Sequence, residues 1–339
     1  MPKVSIILPT YNGQAYIKEA IKSILNQTFS DFELIIVDDC SNDKTPALLE
    51  ALRLQDDRIK VITNSVNQKL PASLNIRYGL SLPASLNIGH RLANGDYLTW
   101  TSDDNKLHAD FLECLVTALK TNAEDIVYSD FNVISETGEF IRVCKSGPIS
   151  LLLLENGIGA SFMYRKKVFE RCPFNEQLHG IEDYDFWVRA AQVFRFKHIE
   201  EVLYDYRIHK ASLTSQIATD VTIQKGFTNG LKIVLDNFRS LSPDTRKMLF
   251  QFQKLYDWDW DFYFKTRIKA ESELQNWISK NGGDFKSFNH RYNEIIRSLL
   301  YSKATRREVL KTILAKPNIL SGNYSRKTTL EIVKKLFIR

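Results

Sequence analysis

The chain has 339 residues, 44% of them hydrophobic and 25% charged, a composition typical of a globular protein with one large domain and a smaller one. Its four cysteines include no C-x-x-C pair, which excludes a disulfide framework or a cysteine zinc site and favours a reducing compartment. The longest apolar run, 149–154, is too short to span a bilayer. The N-terminus leads straight into a predicted strand, so we expect no signal peptide and a cytoplasmic location.

Strands and helices are predicted to alternate over the first hundred residues. Short β-branched runs predict strands at 4–8, 32–37, 59–63 and 97–101, and helical spacing of apolar residues predicts helices at 16–27 and 46–54. This alternation is typical of an α/β fold with a parallel sheet and right-handed crossovers.

A short duplication interrupts this pattern. The segment 70–76 (LPASLNI) recurs at 82–88, and a single tandem copy is not a solenoid. The second copy leads into Gly89, so we expect it to keep the packing register. The first copy is expected to be an added surface loop or helix turn, because longer loops cost little entropy. Alternatively, it reshapes the rim of a ligand pocket.

The pattern becomes mixed after residue 105. A hairpin is predicted from 125–134 and 139–143 around Thr137-Gly138, followed by a helix at 182–194 and a strand at 202–208. Only helical patterns follow residue 215, with a break at 281–284. We therefore predict an α/β domain over 1–215 and a helical C-terminal region over 216–339.

The net charge of +6 is concentrated in the tail. From Phe285 onward there are thirteen Lys and Arg residues against three Glu residues. Such a tail either lies on an anionic membrane surface or presents a solvated helical face. The aromatic and acidic run 257–264 is either helix-packing core or a stacking surface for a sugar. The tail is therefore a candidate for acceptor, homo-oligomer or peripheral membrane contact.

Two acidic pairs are the strongest candidate functional residues. Asp38-Asp39 ends the second predicted strand, and Asp103-Asp104 follows the fourth. The carboxyl ends of parallel strands share one sheet edge, where ligands of open α/β sheets bind. Adjacent carboxylates repel one another unless a cation or hydrogen-bond donors lie between them, and a divalent ion with diphosphate oxygens meets that need. Either pair alone is more typical of a turn.

Two further segments carry candidate groups. Glu182 and Asp183 open a predicted helix, where carboxylates either serve as caps that the helix dipole favours or act as a general base. The segment 206–212 (YRIHKAS) places Arg207 and His209 after a predicted strand, where clustered bases suit a diphosphate. A lone histidine is more often structural.

These motifs resemble those of family 2 glycosyltransferases with the GT-A fold. The resemblance rests on 4–12 (VSIILPTYN), 23–29 (SILNQTF), 36–43 (IVDDCSND), 87–97, the Asp103-Asp104 pair, Glu182-Asp183 and Tyr206-Arg207-x-His209, which appear in the family's order over residues 1–215. The first hundred residues are especially similar to a bacterial spore-coat polysaccharide glycosyltransferase. The expected fold is a Rossmann-like, mostly parallel sheet flanked by helices, with a helical C-terminal region.

The resemblance also implies residue roles. It assigns base contacts to Pro9, Thr10 and Tyr11, a uracil contact to Asp39, a ribose contact to Asp103, binding of Mn²⁺ or Mg²⁺ to Asp104, the catalytic base to Asp183 with Glu182 beside it, and closure over the diphosphate or metal to Arg207 and His209. Ser102 stands where many members carry the first Asp of an Asp-x-Asp motif, and Asn105 stands at a position that is often acidic.

The predicted function is inverting, metal-dependent transfer of a hexosyl or N-acetylhexosaminyl group. The donor would be a nucleoside-diphosphate sugar, expected to be a UDP-sugar, and the acceptor a saccharide or lipid-linked saccharide in polysaccharide synthesis, with no nucleic acid partner. Two alternatives stay open at this point. A sugar-nucleotide nucleotidyltransferase also uses strand-end acids with a metal, and a non-catalytic sugar-nucleotide-binding protein would bind the donor without reaction.

Overall fold

The structure is a computed structural model that describes residues 1–64, 82–121, 123–321 and 324–337, apart from the side chain of Tyr256. The described residues divide into two compact units, one formed by 1–147 with 157–237 and the other by 148–156 with 238–339. The division at residue 215 into a catalytic and a C-terminal region stays a prediction about function. Within the described residues, no helix combines the length and the apolar character that a bilayer crossing requires.

The first unit is built on one mixed sheet. Its described strands are β1 (Val4–Thr10), β2 (Phe32–Asp38), β3 (Ile59–Thr63), β4 (Tyr97–Trp100), β5 (Lys106–Leu107), β6 (Ile126–Ile134), β7 (Phe140–Cys144), β8 (Phe162–Arg165) and β9 (Phe196–Arg207). The order is β3-β2-β1-β4-β8-β6-β9-β5, with β7 on β6. The pairs β1–β2, β1–β4, β2–β3 and β6–β9 are parallel, whereas β5, β7 and β8 pair antiparallel with their neighbours. The sheet is therefore less uniformly parallel than the alternation of elements predicts.

Helices flank this sheet in the first unit, and further helices form most of the second unit. They are α1 (Ile17–Leu25), α2 (Thr45–Arg53), α3 (Leu82–Leu92), α4 (Phe111–Thr121), α5 (Lys166–Arg171), α6 (Glu182–Ala190), α7 (Leu213–Thr219) and α8 (Val221–Asp236) in the first unit, and α9 (Pro243–Gln253), α10 (Trp260–Lys280), α11 (Phe285–Lys303), α12 (Arg306–Ala315) and α13 (Arg326–Lys334) in the second. The helical character of the described residues from 216 onward and the break between α10 and α11 confirm the prediction for this region.

Every residue of β1 and β2 is buried, so neither strand alternates in polarity, as expected of strands covered on both faces. Ile17 and Ile21 of α1 and Leu112 of α4 are fully buried in the same cluster as β1 and β2. The hairpin β6–β7 turns at Gly138, whose φ of +89° favours glycine. This agrees with the predicted turn.

The second copy of the duplicated segment lies at the start of α3. Asn87 donates a hydrogen bond to the carbonyl of Phe174 (2.9 Å), and a Cβ added at Gly89 would meet Ile7 Cγ2 at 2.6 Å. The second copy is therefore packed against the sheet without room for a larger residue at 89. The first copy lies outside the described residues.

Glu33 holds the amino-terminal ends of the parallel strands together. Its side chain is 3% exposed and accepts hydrogen bonds from Ser5 Oγ (2.6 Å), Lys60 Nζ (2.6 Å) and the Asn94 amide (2.7 Å), and so connects β1, β2, β3 and the segment before β4. Burial opposes ionisation, but these donors outweigh it and lower the pKa of Glu33.

We expect Glu33→Ala to lower the free energy of unfolding by about 2 kcal/mol, because the buried hydroxyl of Ser5 and the partly buried amide of Asn94 lose their acceptor. Urea denaturation measures this change. The control, Lys60→Ala, should cost less than about 1 kcal/mol because the ammonium reaches solvent. Since the pKa is lowered by folding, the contribution of the carboxylate is present above the unfolded pKa and is lost as the pH falls through the folded one. Equal losses for both variants at neutral pH would contradict this role.

Candidate active site

The carboxyl ends of the central strands meet at one edge of the sheet. Thr10, the last residue of β1, pairs in register with Asp38 of β2, and the Thr101 amide after β4 donates to the Ile7 carbonyl of β1 (3.0 Å). The pairings through β8 and β6 make β9 run in the same direction as β4, so β9 also ends at this edge with Arg207. The topology thus collects the candidate residues where ligands of such sheets bind.

Thr10 links the two acidic pairs. Its carbonyl accepts the Asp39 amide (2.9 Å), and its hydroxyl donates to Asp103 Oδ2. Asp39 is buried and accepts a hydrogen bond from Asn64 Nδ2 (3.2 Å). The Asp38 side chain instead accepts a hydrogen bond from the Ser41 amide (3.2 Å). The first acidic pair therefore divides its roles, because Asp38 stabilises the turn and Asp39 lies at the junction with Asp103.

The loops after β1 and β2 hold each other in place. The Asn12 amide donates to Ser41 Oγ (2.8 Å), and the Asn42 amide donates to Asn12 Oδ1 (2.9 Å). Asn12 and Cys40 have φ values of +55° and +63°, in the left-handed region that non-glycine residues seldom adopt. Such conformations cluster at ligand-binding sites and persist where surrounding contacts enforce them, as the two bonds do here.

Asp104 lies between His209 and Arg207. Its Oδ2 is 3.0 Å from His209 Nε2, its backbone carbonyl accepts Arg207 Nε (2.8 Å), and its Oδ1 is buried without a hydrogen-bond partner. The hydrogen bond to Asp104 raises the pKa of His209. Burial, together with the neighbouring Asp104, raises the pKa of Asp103 to about 7. This part of the edge is therefore rich in negative charge and short of counter-charge.

Arg207 is buried, and each of its guanidinium nitrogens has a protein partner. Besides the bond to Asp104, Nη1 donates to the Glu136 carbonyl (2.9 Å) and Nη2 to Glu19 Oε2 (2.6 Å), while the guanidinium lies 4.8 Å from the centre of the Tyr16 ring. The Arg207 amide donates to Asn105 Oδ1 (2.8 Å). In this arrangement the arginine holds the Asp104-Asn105 loop.

Glu182 and Asp183 begin α6 with different surroundings. Glu182 is 3% exposed and its Oε2 is buried without a hydrogen-bond partner, whereas Asp183 is partly exposed and accepts the Tyr184 amide (2.6 Å). Burial and the adjacent Asp183 raise the pKa of Glu182. Burial is also the largest cause of the raised pKa of Tyr206, to which Asp104 and Asp183 both contribute. The negative charges of these two carboxylates therefore act on the same tyrosine.

The predicted site residues that follow the strands are thus brought together in one connected group. Hydrogen bonds and chain adjacency lead from Asp39 through Thr10 to Asp103, and then to Asp104 with His209. Asp183 is linked to this group by its electrostatic effect on Tyr206, which Asp104 also influences. Pro9 is buried in β1 and Tyr11 is partly exposed directly after it. The roles of these residues toward a ligand stay predictions.

The residues present fit a divalent cation. The unpartnered, buried Oδ1 of Asp104 and the adjacent imidazole of His209 are an oxygen and a nitrogen ligand that such ions accept. The described residues contain no group of three or more His, Cys, Asp or Glu side chains placed to hold an ion by themselves. An ion with two protein ligands takes its remaining ligands from water and substrate phosphates, as is common for Mg²⁺.

Sequence reasoning missed several residues that shape this site. The side chains of Asn12 and Asn105 each accept a hydrogen bond from a backbone amide of another loop or strand. Glu19 accepts a hydrogen bond from Arg207. Gly13 is required by space, because an added Cβ would lie 2.6 Å from Thr10 Oγ1 and would collide with Asp103. The available signal was the pair Asn12-Gly13 directly after a buried strand, which marks a tight turn.

The mixed sheet with its flanking helices has a GT-A-type fold. Among solved structures, S. aureus TarS (residues 1–349, in complex with UDP-GlcNAc) matches with a TM-score of 0.60 at 17% identity, covering 99% of this chain and 91% of that 1–349 chain. At that identity the likeness shows the fold alone. The sequence profile of glycosyl transferase family 2 matches residues 5–175, half of the chain. The chain therefore belongs to glycosyl transferase family 2.

Curated relatives agree with this family. An uncharacterized glycosyltransferase of Rickettsia felis is 31% identical over 230 residues, which are 64% of this chain and 36% of that protein. The chain thus matches only about a third of that relative's length. A GalNAc(5)-diNAcBac-PP-undecaprenol beta-1,3-glucosyltransferase of Campylobacter jejuni is 29% identical over 267 residues, covering 75% of this chain and 82% of that protein.

We expect Gly13→Ala to reduce glycosyl transfer about 10²-fold, because its methyl group would displace Thr10 and Asp103 from each other and so misplace the donor. Initial rates with a nucleotide sugar and circular dichroism of both proteins would measure activity and folding. The matched control is Gly226→Ala in α8, where an added Cβ meets no atom within 4 Å. Unchanged transfer in a folded Gly13→Ala protein would contradict the spatial requirement.

Proposed function

We propose that this protein is an inverting, metal-dependent glycosyltransferase that moves a sugar from a nucleoside-diphosphate donor to an acceptor hydroxyl. The observation that carries the proposal is the connected group of Asp39, Asp103 and Asp104 at one sheet edge, with Asp183 acting electrostatically on Tyr206 beside it. Asp104 Oδ1 and Glu182 Oε2 are buried without hydrogen-bond partners, so both oxygens are available to groups of a ligand.

The nucleotide end of the donor is assigned to β1 and the loop after β2. Pro9, Thr10 and Tyr11 would border the base, Asp39 would accept an N–H of a uracil ring, and Asp103 would accept a ribose hydroxyl. The support is their position at the carboxyl ends of parallel strands and the Thr10 bridge between Asp39 and Asp103. A UDP-sugar is therefore the expected donor.

Asp104 and His209 would hold Mn²⁺ or Mg²⁺ against the diphosphate. When bound, such an ion offsets the negative charge that develops on the leaving diphosphate. Arg207 would serve nucleotide binding by keeping Asp104 and Asn105 in place, since its own N–H groups already have partners in Glu19, Glu136 and Asp104. His209 would then be the member of the Arg207–His209 pair that faces the ion.

Asp183 is the proposed catalytic base. It is more accessible than Glu182, which is almost fully buried, and a base must reach the proton that it removes. Asp183 would take the acceptor's hydroxyl proton while the acceptor oxygen forms a bond to the anomeric carbon. The bond from that carbon to the diphosphate oxygen breaks, and the nucleoside diphosphate leaves with the electron pair. One in-line displacement inverts the anomeric configuration.

The names of the relatives support a class of substrate for this protein. The name of the Campylobacter jejuni relative gives it a lipid-linked acceptor, so we propose a saccharide or lipid-linked saccharide acceptor in polysaccharide or glycoconjugate synthesis. The transferred group would be a hexose or an N-acetylhexosamine. The scattered cysteines favour a cytoplasmic reaction, and residues 216–339 remain a candidate for acceptor or homo-oligomer contact.

We expect Asp183→Asn to keep donor affinity within a few-fold but to lose about 10²–10⁴-fold in transfer rate, because the amide cannot accept the hydroxyl proton. Titration calorimetry with UDP and a transfer assay separate the two effects. Release of a nucleoside diphosphate by the wild type, rather than pyrophosphate, also separates this reaction from nucleotidyl transfer. Wild-type transfer by Asp183→Asn would show that another group is the base.

We expect Asp104→Asn to weaken Mn²⁺ binding about 10–100-fold or more, because a charged ligand is lost, and changing even a residue that only hydrogen-bonds a metal ligand costs that much. Binding of Mn²⁺ in the presence of UDP can be followed by electron paramagnetic resonance. Addition of a chelator to the wild type should abolish transfer, and added Mn²⁺ or Mg²⁺ should restore it. Full activity in chelator would exclude the metal from the reaction.

A further inference from the structure

The outer faces of α12 and α13 combine large apolar side chains with bases. Leu310 and Leu314 of α12 are 49% and 74% exposed, and Leu330 of α13 and Phe337 after it are 61% and 79% exposed. Exposed bases occupy the same two segments: Arg306, Arg307, Arg326 and Lys327. We call these eight residues the tail face.

The spacing places these residues on the solvent side of each helix. Arg307, Leu310 and Leu314 follow one another by three and four positions, the interval that keeps side chains on one helix face, and Val309 and Thr312 occupy the buried side. On α13, Arg326 and Leu330 are likewise four positions apart, and Ile332 is buried. Each helix therefore buries one side against the protein and also presents apolar residues on the side that faces solvent.

The end of α13 lies against the end of α11, close to the start of α12. Lys335 Nζ, directly after α13, donates to the carbonyls of Leu300 in α11 (3.0 Å) and of Ala304 (3.1 Å), two residues before α12 begins. The end of α13 is therefore near the first turn of α12.

Acidic residues do not neutralise the tail face. Glu294 is bound by Arg291 (3.3 Å), Glu308 closes the capping box on the Thr305 amide (2.6 Å), and Glu331 pairs with Lys334 (2.7 Å). Among the described residues, the four bases of the tail face have no carboxylate within 4.0 Å, whereas Lys316 is paired with Glu271. The residual charge of this region is therefore positive and exposed.

The position of these bases within their helices is unfavourable for stability. Arg306 and Arg307 occupy the first turn of α12, and Arg326 and Lys327 the first turn of α13, where the helix dipole disfavours cations. Four such placements in two helices are costly for an isolated protein. An anionic partner would remove that cost.

We propose that the tail face docks on a lipid bilayer with anionic headgroups. A protein partner or a second copy would explain the exposed Leu and Phe side chains, but an apolar contact alone gives no use for four unpaired bases. Bases interspersed with Leu and Phe on a helix surface are the combination that interfacial helices use, with apolar residues entering the acyl boundary and bases contacting lipid phosphates.

The test is flotation of the full chain with vesicles of phosphatidylcholine alone or with 30 mole per cent phosphatidylglycerol, a fraction of roughly the order at which anionic lipid attracts basic segments. The wild type should float with the anionic vesicles and less at high salt, since screening weakens exposed charges. The combined variant Arg306→Gln, Arg307→Gln, Arg326→Gln and Lys327→Gln should bind them at least about tenfold more weakly, because each base contributes a several-fold gain. Its thermal midpoint should stay equal or rise, because the unfavourable dipole interactions are gone.

Matched control variants test whether vesicle binding depends on the tail face itself or on the overall charge and surface hydrophobicity of the protein. The charge control replaces the exposed bases Lys18, Lys22, Lys225 and Arg239 by Gln, and it should float like the wild type. Leu314→Ser with Phe337→Ser should weaken binding several-fold, whereas Leu54→Ser, at a site 72% exposed elsewhere, should not.

Two results would overturn the proposal. One is equal flotation of the four-base variant and the wild type, or no flotation of either. The other is sedimentation showing that the wild type is an oligomer and that the four-base variant is a monomer, which would assign the tail face to a second copy. Transfer to a water-soluble acceptor without vesicles is a separate readout, so failure of docking leaves the proposed glycosyl transfer untouched.

Discussion

The candidate site depends on keeping neighbouring carboxylates together despite their mutual repulsion. Asp103 and Asp104 are adjacent in sequence, and the Asp39 amide is bound to the same threonine that donates to Asp103. The protein relieves part of the repulsion with a hydroxyl from Thr10 and an imidazole from His209. It leaves Asp104 Oδ1 without a partner. That remaining imbalance is what makes a divalent ion and the hydroxyls of a nucleotide sugar suitable ligands.

The buried guanidinium of Arg207 shows how the fold fixes this arrangement. An arginine at a strand end beside two acids would usually be expected to bind a phosphate of the ligand. Here its planar guanidinium donates to three backbone carbonyls and to Glu19, and it lies over the Tyr16 ring. These contacts tie β9 to the loop after β4 and to α1. A lysine, as a point charge, could not make the same set of bonds.

Much of the architecture could be predicted because buried parallel strands are long apolar runs. The spans of β1 to β4, α1 and α2 agree with the predictions to within a few residues. The short strands β5 and β8, of two and four residues, carry too little pattern to detect, and they introduce the antiparallel pairs. β9 begins at Phe196 instead of 202, and its first half is polar and partly exposed, which hides it from a hydrophobicity pattern. The turn at Gly13 could be detected from the sequence, but its spatial requirement could not, because that requirement comes from the side chain of Asp103, which is distant in sequence.

The choice between Glu182 and Asp183 shows where sequence reasoning must stop. Consecutive residues at a helix start point about 100° apart, so two neighbouring carboxylates necessarily enter different environments. Either one could face the ligand, and their order in the chain does not decide which. Burial distinguishes the two residues, because it leaves Glu182 almost without solvent and raises its pKa, while Asp183 keeps access. A general base must reach the proton that it removes, so the proposed mechanism assigns that role to Asp183.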